Sequence, residues 1–272
     1  LRTNTNITKY VDLDFKVTYT HENVHNRPAV ADHRANIAKN LMTLSTTFDQ
    51  AWLRDNYQDA NGEYYNWNDG DRYNINPYWV LNKMSNDTKK DTYRGSAVIR
   101  YRPFKQMSLR ATLGTDMNFL VFEDFAYPTS PGREMGALTI KDYRNRTYTA
   151  EFLASYRDRF KKLNYGATVG GNIYKVDNKT RIIMAQNMVM RDAKALESFS
   201  ERKIEEEPYC KQINSVYGSL NLGYDNFAYM DMTLRGDYSS TLPIQNNLYW
   251  YPSVSGSFLF SEFFHINKEI LP

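Results

Sequence analysis

The stretch "YPSVSGSFLFSEF", residues 251–263, decides the fold class by its alternation: Ser253, Ser255, Ser257 and Ser261 are interleaved with Val254, Gly256, Phe258 and Phe260. Successive side chains of a strand point to opposite faces, so this period of two calls for one wet face and one apolar face. It does not fit a helix, whose apolar positions recur every three or four residues.

The same period recurs along the chain, giving about eight expected strands. In "VDLDFKVTY", residues 11–19, Val11, Leu13, Phe15, Val17 and Tyr19 share a face opposite Asp12, Asp14, Lys16 and Thr18. Around 92–102, Tyr93, Gly95, Ala97, Ile99 and Tyr101 oppose Arg94, Arg100 and Arg102, and around 107–116 Leu109, Ala111 and Leu113 oppose Arg110 and Asp116. Four more runs, near 147–157, 163–174, 215–225 and 229–237, repeat the pattern, and the opening stretch is the last strand. None of the apolar faces carries a charge. That matters energetically, because a lipid-facing Arg or Lys at a bilayer midplane costs about 2–4 kcal/mol, whereas one facing a wet lumen stays hydrated.

Connector lengths sort in the same direction. The links at "RPFKQ", "DRFKK" and "YDNFA" are tight, while those expected over 20–91, 118–146 and 175–212 are long, and the long ones all fall at one end. Tyrosines close both ends of the apolar face, Tyr93 with Tyr101 and Tyr148 with Tyr156. Eight residues at about 3.3 Å each, tilted by about 40°, cover roughly 20 Å of membrane normal, near the apolar band of about 25 Å in outer-membrane barrels. The expectation is therefore an antiparallel transmembrane β-barrel segment in which Val254, Phe258 and Phe260 meet lipid and the serines line water. A soluble sandwich shows the same alternation, with the apolar face as its core.

Composition narrows the alternatives. Twenty-two tyrosines and 14 phenylalanines in 272 residues make the chain strand-rich and too apolar for disorder. A net charge of +3, with no basic block, gives nucleic acid no footprint. No run approaches the roughly 18 apolar residues of a membrane helix. The single cysteine, Cys210, is expected in a loop and cannot form an internal disulfide.

The sequence "HENVH", His21–His25, matches a zinc-protease pattern that requires a helix, yet it follows the clearest strand and precedes Pro28. Helical spacing in "ANIAKNLMTLSTTF" predicts a helix inside the first long loop. The same loop concentrates Tyr64, Tyr65, Trp67, Tyr78 and Trp79 with Asp69 and Asp71 in "NGEYYNWNDGDRYNINPYW". Such side chains can stack on a sugar or anchor a protein partner, and they can equally pack the loop on itself. Asp69 and Asp71 around Gly70 are too few ligands to specify calcium and suit a turn. No triad, phosphate loop or paired-cysteine motif is present, so neither an enzyme nor a cofactor is expected.

At "LRGDYSSTLPIQNNLYWYPSVSGSFLFSEF", residues 234–263, the chain resembles the SusC/RagA family of TonB-dependent outer-membrane transporters of Bacteroidetes. The segments "NPYW" at 76–79 and "YRGSAVIRYRPF" at 93–104 are similar to the middle of that family's barrel. The resemblance implies a barrel of about 22 strands with a plugged lumen, long extracellular loops and short periplasmic turns. It also implies import of oligosaccharides or peptides, a SusD-like surface lipoprotein as lid, and energy from the TonB–ExbB–ExbD complex acting through the plug. No plug and no TonB-contacting segment are recognisable, and the resemblance expects another strand after "SEFFHINKEI". Residues 1–272 are thus expected to be a middle part of one receptor-like barrel domain in the outer membrane. Two other readings stay open: a self-contained eight-stranded outer-membrane barrel of structural or adhesive role, with strand 11–19 paired to 253–261, and a soluble carbohydrate-binding β-sandwich.

Overall fold

A computed structural model describes residues 1–191 and 193–264. The described residues form nine strands: β1 Arg2–Thr8, β2 Val11–His25, β3 Met84–Phe104, β4 Met107–Ala126, β5 Ala137–Phe160, β6 Leu163–Met188, β7 Phe199–Tyr224, β8 Ala228–Ser239 and β9 Leu248–Phe258. They make one antiparallel sheet in sequence order, β1 to β9, each strand pairing with its chain neighbours. No described helix is long and apolar enough to cross a membrane.

The register turns local alternation into two continuous faces. One cross-strand row reads Leu13, Ile99, Ala111, Phe152, Gly171, Val216, Gly236 and Trp250 from β2 to β9. The adjacent row on the other face reads Asp12, Arg100, Arg110, Leu153, Gly170, Tyr217, Arg235 and Tyr251. The first row carries no charge, and Ile99, Ala111, Phe152, Val216 and Trp250 in it lie exposed, as do Leu113 at 61%, Val169 at 59% and Val254 at 70% exposure nearby. A large exposed apolar band with no second sheet over it is the surface of a lipid-facing wall. At Gly236 the band is flattened: the Trp250 ring lies across it, and a Cβ there would sit 2.8–3.0 Å from the ring atoms.

Aromatic rings border the band. On one side Tyr19 and Tyr93 lie 4.9 Å apart, with Phe119 6.2 Å from Tyr93. On the other, Tyr156 and Tyr165 stack at 6.2 Å, and Phe227 meets Tyr224 and Phe258 at 5.7 and 5.6 Å. Tyrosine and tryptophan suit this position because the ring is apolar and the polar tip reaches water.

The inner face is held by paired charges. Arg110 donates to Glu151 at 2.8 Å, and the Tyr217 hydroxyl donates to the same carboxylate at 2.7 Å. Arg235 donates to Asp237 at 2.8 Å and to Ser215 at 3.1 Å, with its guanidinium 5.4 Å from the centre of the Tyr217 ring.

Four tight turns, at Lys9–Tyr10, Lys105–Gln106, Lys161–Lys162 and Asp225–Phe227, lie at one end of the sheet. Asp225 and Asn226 hold φ of 47° and 61° there, a left-handed conformation that Asp and Asn tolerate best after glycine. The long connections 26–83, 127–136, 189–198 and 240–247 all lie at the other end.

Several expectations need correction. There are nine strands among the described residues, not about eight. The one not foreseen, β1, reads "RTNTNIT" and has no apolar face to betray it. The link expected over 175–212 is mostly strand, since β6 and β7 pair in register up to Met188 and Phe199. Charged side chains enter the outer face of these extensions, and Ala185, Met188 and Phe199 near the tip are buried, so alternation disappears while the ladder continues. For the same reason Cys210 lies in β7, exposed, and not in a loop. The last strand ends at Phe258, and Phe260 begins a helical turn, Phe260–Phe263, so it is not a strand residue facing lipid. The loop helix is shorter than expected: Ile37–Met42 (α1) is followed, after a break, by Gln50–Asp55 (α2). Closure by pairing 11–19 with 253–261 does not occur, because β2 lies between β1 and β3. The further strand expected after "SEFFHINKEI" falls outside the described residues.

The two faces differ in their tolerance of charge. Leu113, opposite Ala97 and Ala150 midway between the aromatic borders, should lose about 2–4 kcal/mol on substitution L113R in the intact barrel. Thr112→Arg, one residue along and facing inward, should cost little. Unfolding of the barrel in lipid vesicles by denaturant measures both; equal losses would contradict the assignment of faces.

Candidate functional site

The first long loop, residues 26–83, packs against the inner side of the sheet at its long-loop end. Its third helix, Pro77–Lys83 (α3), leads directly into β3. Asn76 caps this helix by accepting from the Tyr78 amide at 2.9 Å, with Pro77 at the first helical position, where its missing N–H costs nothing. The Asn76 side chain also donates to the Leu53 carbonyl at 2.9 Å, and Asn40 donates to the carbonyls of Arg34 and Ile75 at 2.9 and 3.0 Å. These buried amides tie α1, α2 and α3 together.

Trp79 is the hub. It is 0% exposed, clusters with Ile75, Val80, Met84 and Ala126, and donates its indole N–H to the Ser130 hydroxyl at 2.9 Å. Met84 and Ala126 belong to the inward series of β3 and β4, which places this cluster on the lumen side. The Tyr64 ring meets Trp79 edge-on at 5.3 Å, and its hydroxyl accepts from the Trp67 indole at 3.0 Å and from the Asn76 amide at 3.2 Å. Burial pushes the Tyr64 hydroxyl pKa up, against the opposing effect of those two donors.

The aromatic residues singled out from sequence thus divide. Trp79 is enclosed; Tyr64, Trp67 and Tyr78 are half-buried; Tyr65 is exposed. Two exposed aromatics that sequence reasoning passed over join them: Trp52, 5.9 Å from Tyr65, and Phe48, 5.1 Å from Trp67. They lie at least 13 residues away along the chain, so no local pattern links them. Asp69, with φ of 56°, and Gly70, with φ of 85°, form a turn. Asp71 accepts from the Tyr73 amide at 2.8 Å and from the Asn74 side chain at 2.7 Å, so both its oxygens serve that turn. No group of three or more potential metal ligands occurs among the described residues.

Beside this cluster lies a cavity of about 720 Å³, a size suited to a small ligand. Val30, Ile37, Leu41, Val80 and Leu81 line it together with polar groups that include Arg27, His33, Asn86 and Asp124. Ion pairs tie this loop to the neighbouring connections: Arg191 pairs with Glu63 at 2.5 Å, and Arg72 with Glu134 at 3.2 Å. The Glu134 carboxyl is held below the usual range by its own and Gly132's backbone N–H groups.

The "HENVH" histidines do not converge. His21 and His25 lie on one face of β2, about 13 Å apart at strand rise, and each pairs across the sheet, His21 with Asp91 at 2.8 Å and His25 with Asp87. A zinc pair needs one helical turn between the two.

No family model matches the chain. It is 25% identical over 185 residues to TonB-dependent receptor P3 of Formosa agariphila, covering 65% of this chain and 18% of that protein. It is 23% identical over 197 residues to TonB-dependent receptor P26 of the same organism, covering 69% of this chain and 20% of that protein. The solved RagAB peptide transporter superposes with a TM-score of 0.77 at 16% identity, over 97% of this chain and 30% of that one. The fold is that of a TonB-dependent receptor barrel. The SusC/RagA resemblance is borne out, and the chain spans about a fifth of its curated relatives' length. These relatives of the barrel are named as receptors and a transporter.

Tyr64 should prove to be the loop's internal strut. Tyr64→Phe leaves two donors unsatisfied and should cost the loop about 1–3 kcal/mol of local stability. Faster hydrogen exchange at the Asn76 amide, with β4 to β6 unchanged, is the expected observation.

Proposed function

We propose that this chain supplies wall and extracellular loops to an outer-membrane importer of the TonB-dependent kind, and that the loop 26–83 meets cargo or lid at the mouth. The observation that carries this reading is the position of the aromatic loop: anchored through Trp79 to the lumen side of β3 and β4, it leaves Tyr65, Trp52 and Tyr73 exposed. The inward face below it, with Arg100, Arg110, Glu151, Asp237 and Ser219, keeps a hydrated path for polar cargo.

The cavity beside the loop bears on cargo class. Its lining of Val, Ile and Leu side chains suits the apolar side chains of a peptide better than a fully hydroxylated sugar, and the buried Asn86 Oδ1, which has no partner among the described residues, can accept from a backbone amide. Peptides are therefore the first candidate and oligosaccharides the second. A SusD-like lipoprotein lid, and energy from the TonB–ExbB–ExbD complex through a plug, follow from the resemblance and belong to the whole transporter.

The test uses the full-length transporter. Replacing Tyr65 and Trp67 by Ala should weaken cargo binding or lid association by about tenfold, as loss of an aromatic anchor does. Titrating a peptide mixture and an oligosaccharide mixture separately distinguishes the cargo classes. Unchanged affinity for cargo and for lid would remove the loop from the mechanism.

A further inference from the structure

We propose that the outer face of β5 and β6, just above the aromatic border, binds the phosphorylated headgroup of an outer-leaflet lipid. Register places Lys175 opposite Tyr148, then Arg146 opposite Asp177, Arg144 opposite Lys179, and Asp142 opposite Arg181, each step moving two residues toward the long loops. All continue the outward series of Ala150, Phe152 and Ile173, so they project on the side that faces lipid lower down. At about 3.3 Å per residue and about 40° of tilt, Arg146 and Arg144 stand roughly 5 and 10 Å above Tyr148, the depth of a headgroup layer.

Cations outnumber their partners here. Arg144, Arg146, Lys175, Lys179 and Arg181 face three carboxylates: Asp142, Asp177 and Glu206. Asp142 is shared, accepting from Arg144 at 3.0 Å and from Arg181 at 3.2 Å. Arg146 and Asp177 are only loosely paired at 3.9 Å, while Lys179 meets Glu206 at 2.9 Å. Lys175 is exposed, and the Arg181 Nε–H is shielded from water yet has no partner among the described residues. Asp142, Arg144, Lys179, Arg181 and Glu206 surround a recess of about 50 Å³ into which these donors converge.

The excess is greatest on these strands. At the corresponding height β2 and β3 present His21 paired with Asp91, His25 paired with Asp87 and the exposed Lys89, and β7 presents Cys210 and Gln212 beside Glu206. A soluble polar partner would have no need of a site continuous with the lipid-facing band. A phosphate carried on a lipid would be delivered to this level by its own acyl chains, where arginine forks and lysines bind it best. The inference uses the barrel's place in the membrane and nothing about its cargo.

Native mass spectrometry of the full-length transporter provides the test, with lipid A carrying two phosphates as one probe and dephosphorylated lipid A as the other. The wild-type protein should retain the phosphorylated form preferentially. The double variant Lys175→Gln, Lys179→Gln should lose about fivefold in retention for each cation removed, while Lys203→Gln on the inner face changes nothing. Equal retention of the two probes by the wild-type protein overturns the proposal without reliance on any variant. So does displacement of the lipid by inorganic phosphate at similar concentration, which would make this a free-anion site. Cargo uptake is read separately, so lipid retention and import can each fail alone.

Discussion

The constraint on which everything else depends is that a strand crossing hydrocarbon must have its backbone N–H and C=O groups bonded to neighbouring strands. Water cannot substitute for them there, and each unpaired group costs several kcal/mol. The ladders from β2 to β7 run through 15 or more residues with few breaks, which satisfies this demand across the apolar band. Once the ladders are in register, the side-chain period of two obliges one face to be the lipid surface and the other the lumen. A slip of one residue would bring Arg110 and Arg235 into lipid together with every other inward charge. Pairing and patterning therefore enforce each other.

The inner charges and the outer aromatics solve different problems on that shared frame. Inward, Arg110, Glu151, Tyr217 and Arg235 are linked by hydrogen bonds and a cation–ring contact across β4, β5, β7 and β8, so the polar wall is braced between strands that are not all neighbours. Outward, Tyr19 with Tyr93 and Tyr156 with Tyr165 mark where hydrocarbon ends. Beyond the upper border charges enter the outer face and buried apolar clusters form near the strand tips, yet the strands continue, because a ladder once begun adds pairs without a new closure cost. This lengthening carries the long connections well clear of the bilayer and gives them a rigid base.

The loop end is built by other means. Short helices of six and seven residues would not persist alone in water. They hold here through buried amide side chains, Asn40 and Asn76, and through Trp79 acting as a common core. A surface anchored in this way can present Tyr65 and Trp52 at fixed positions, which a floppy loop of the same composition could not.

The sequence by itself determined the strand class, the two faces and the direction of the barrel, since alternation in segments such as 93–101 and 253–258 reports which face each residue takes and connector lengths report which end is which. It also argued against a helical reading of "HENVH", which lies in β2. What it could not determine were features that leave no periodic trace: β1, polar at nearly every position; the extensions of β6 and β7 above the apolar band; the end of β9 at Phe258. Nor could it separate Trp79, the enclosed hub, from Tyr65, its exposed neighbour in the same aromatic run, because composition is blind to which ring turns inward. The tertiary structure decided these by register and by contacts between residues far apart in sequence, bringing Ser130 to Trp79, Trp52 to Tyr65, and Arg144 and Arg181 to one carboxylate on Asp142.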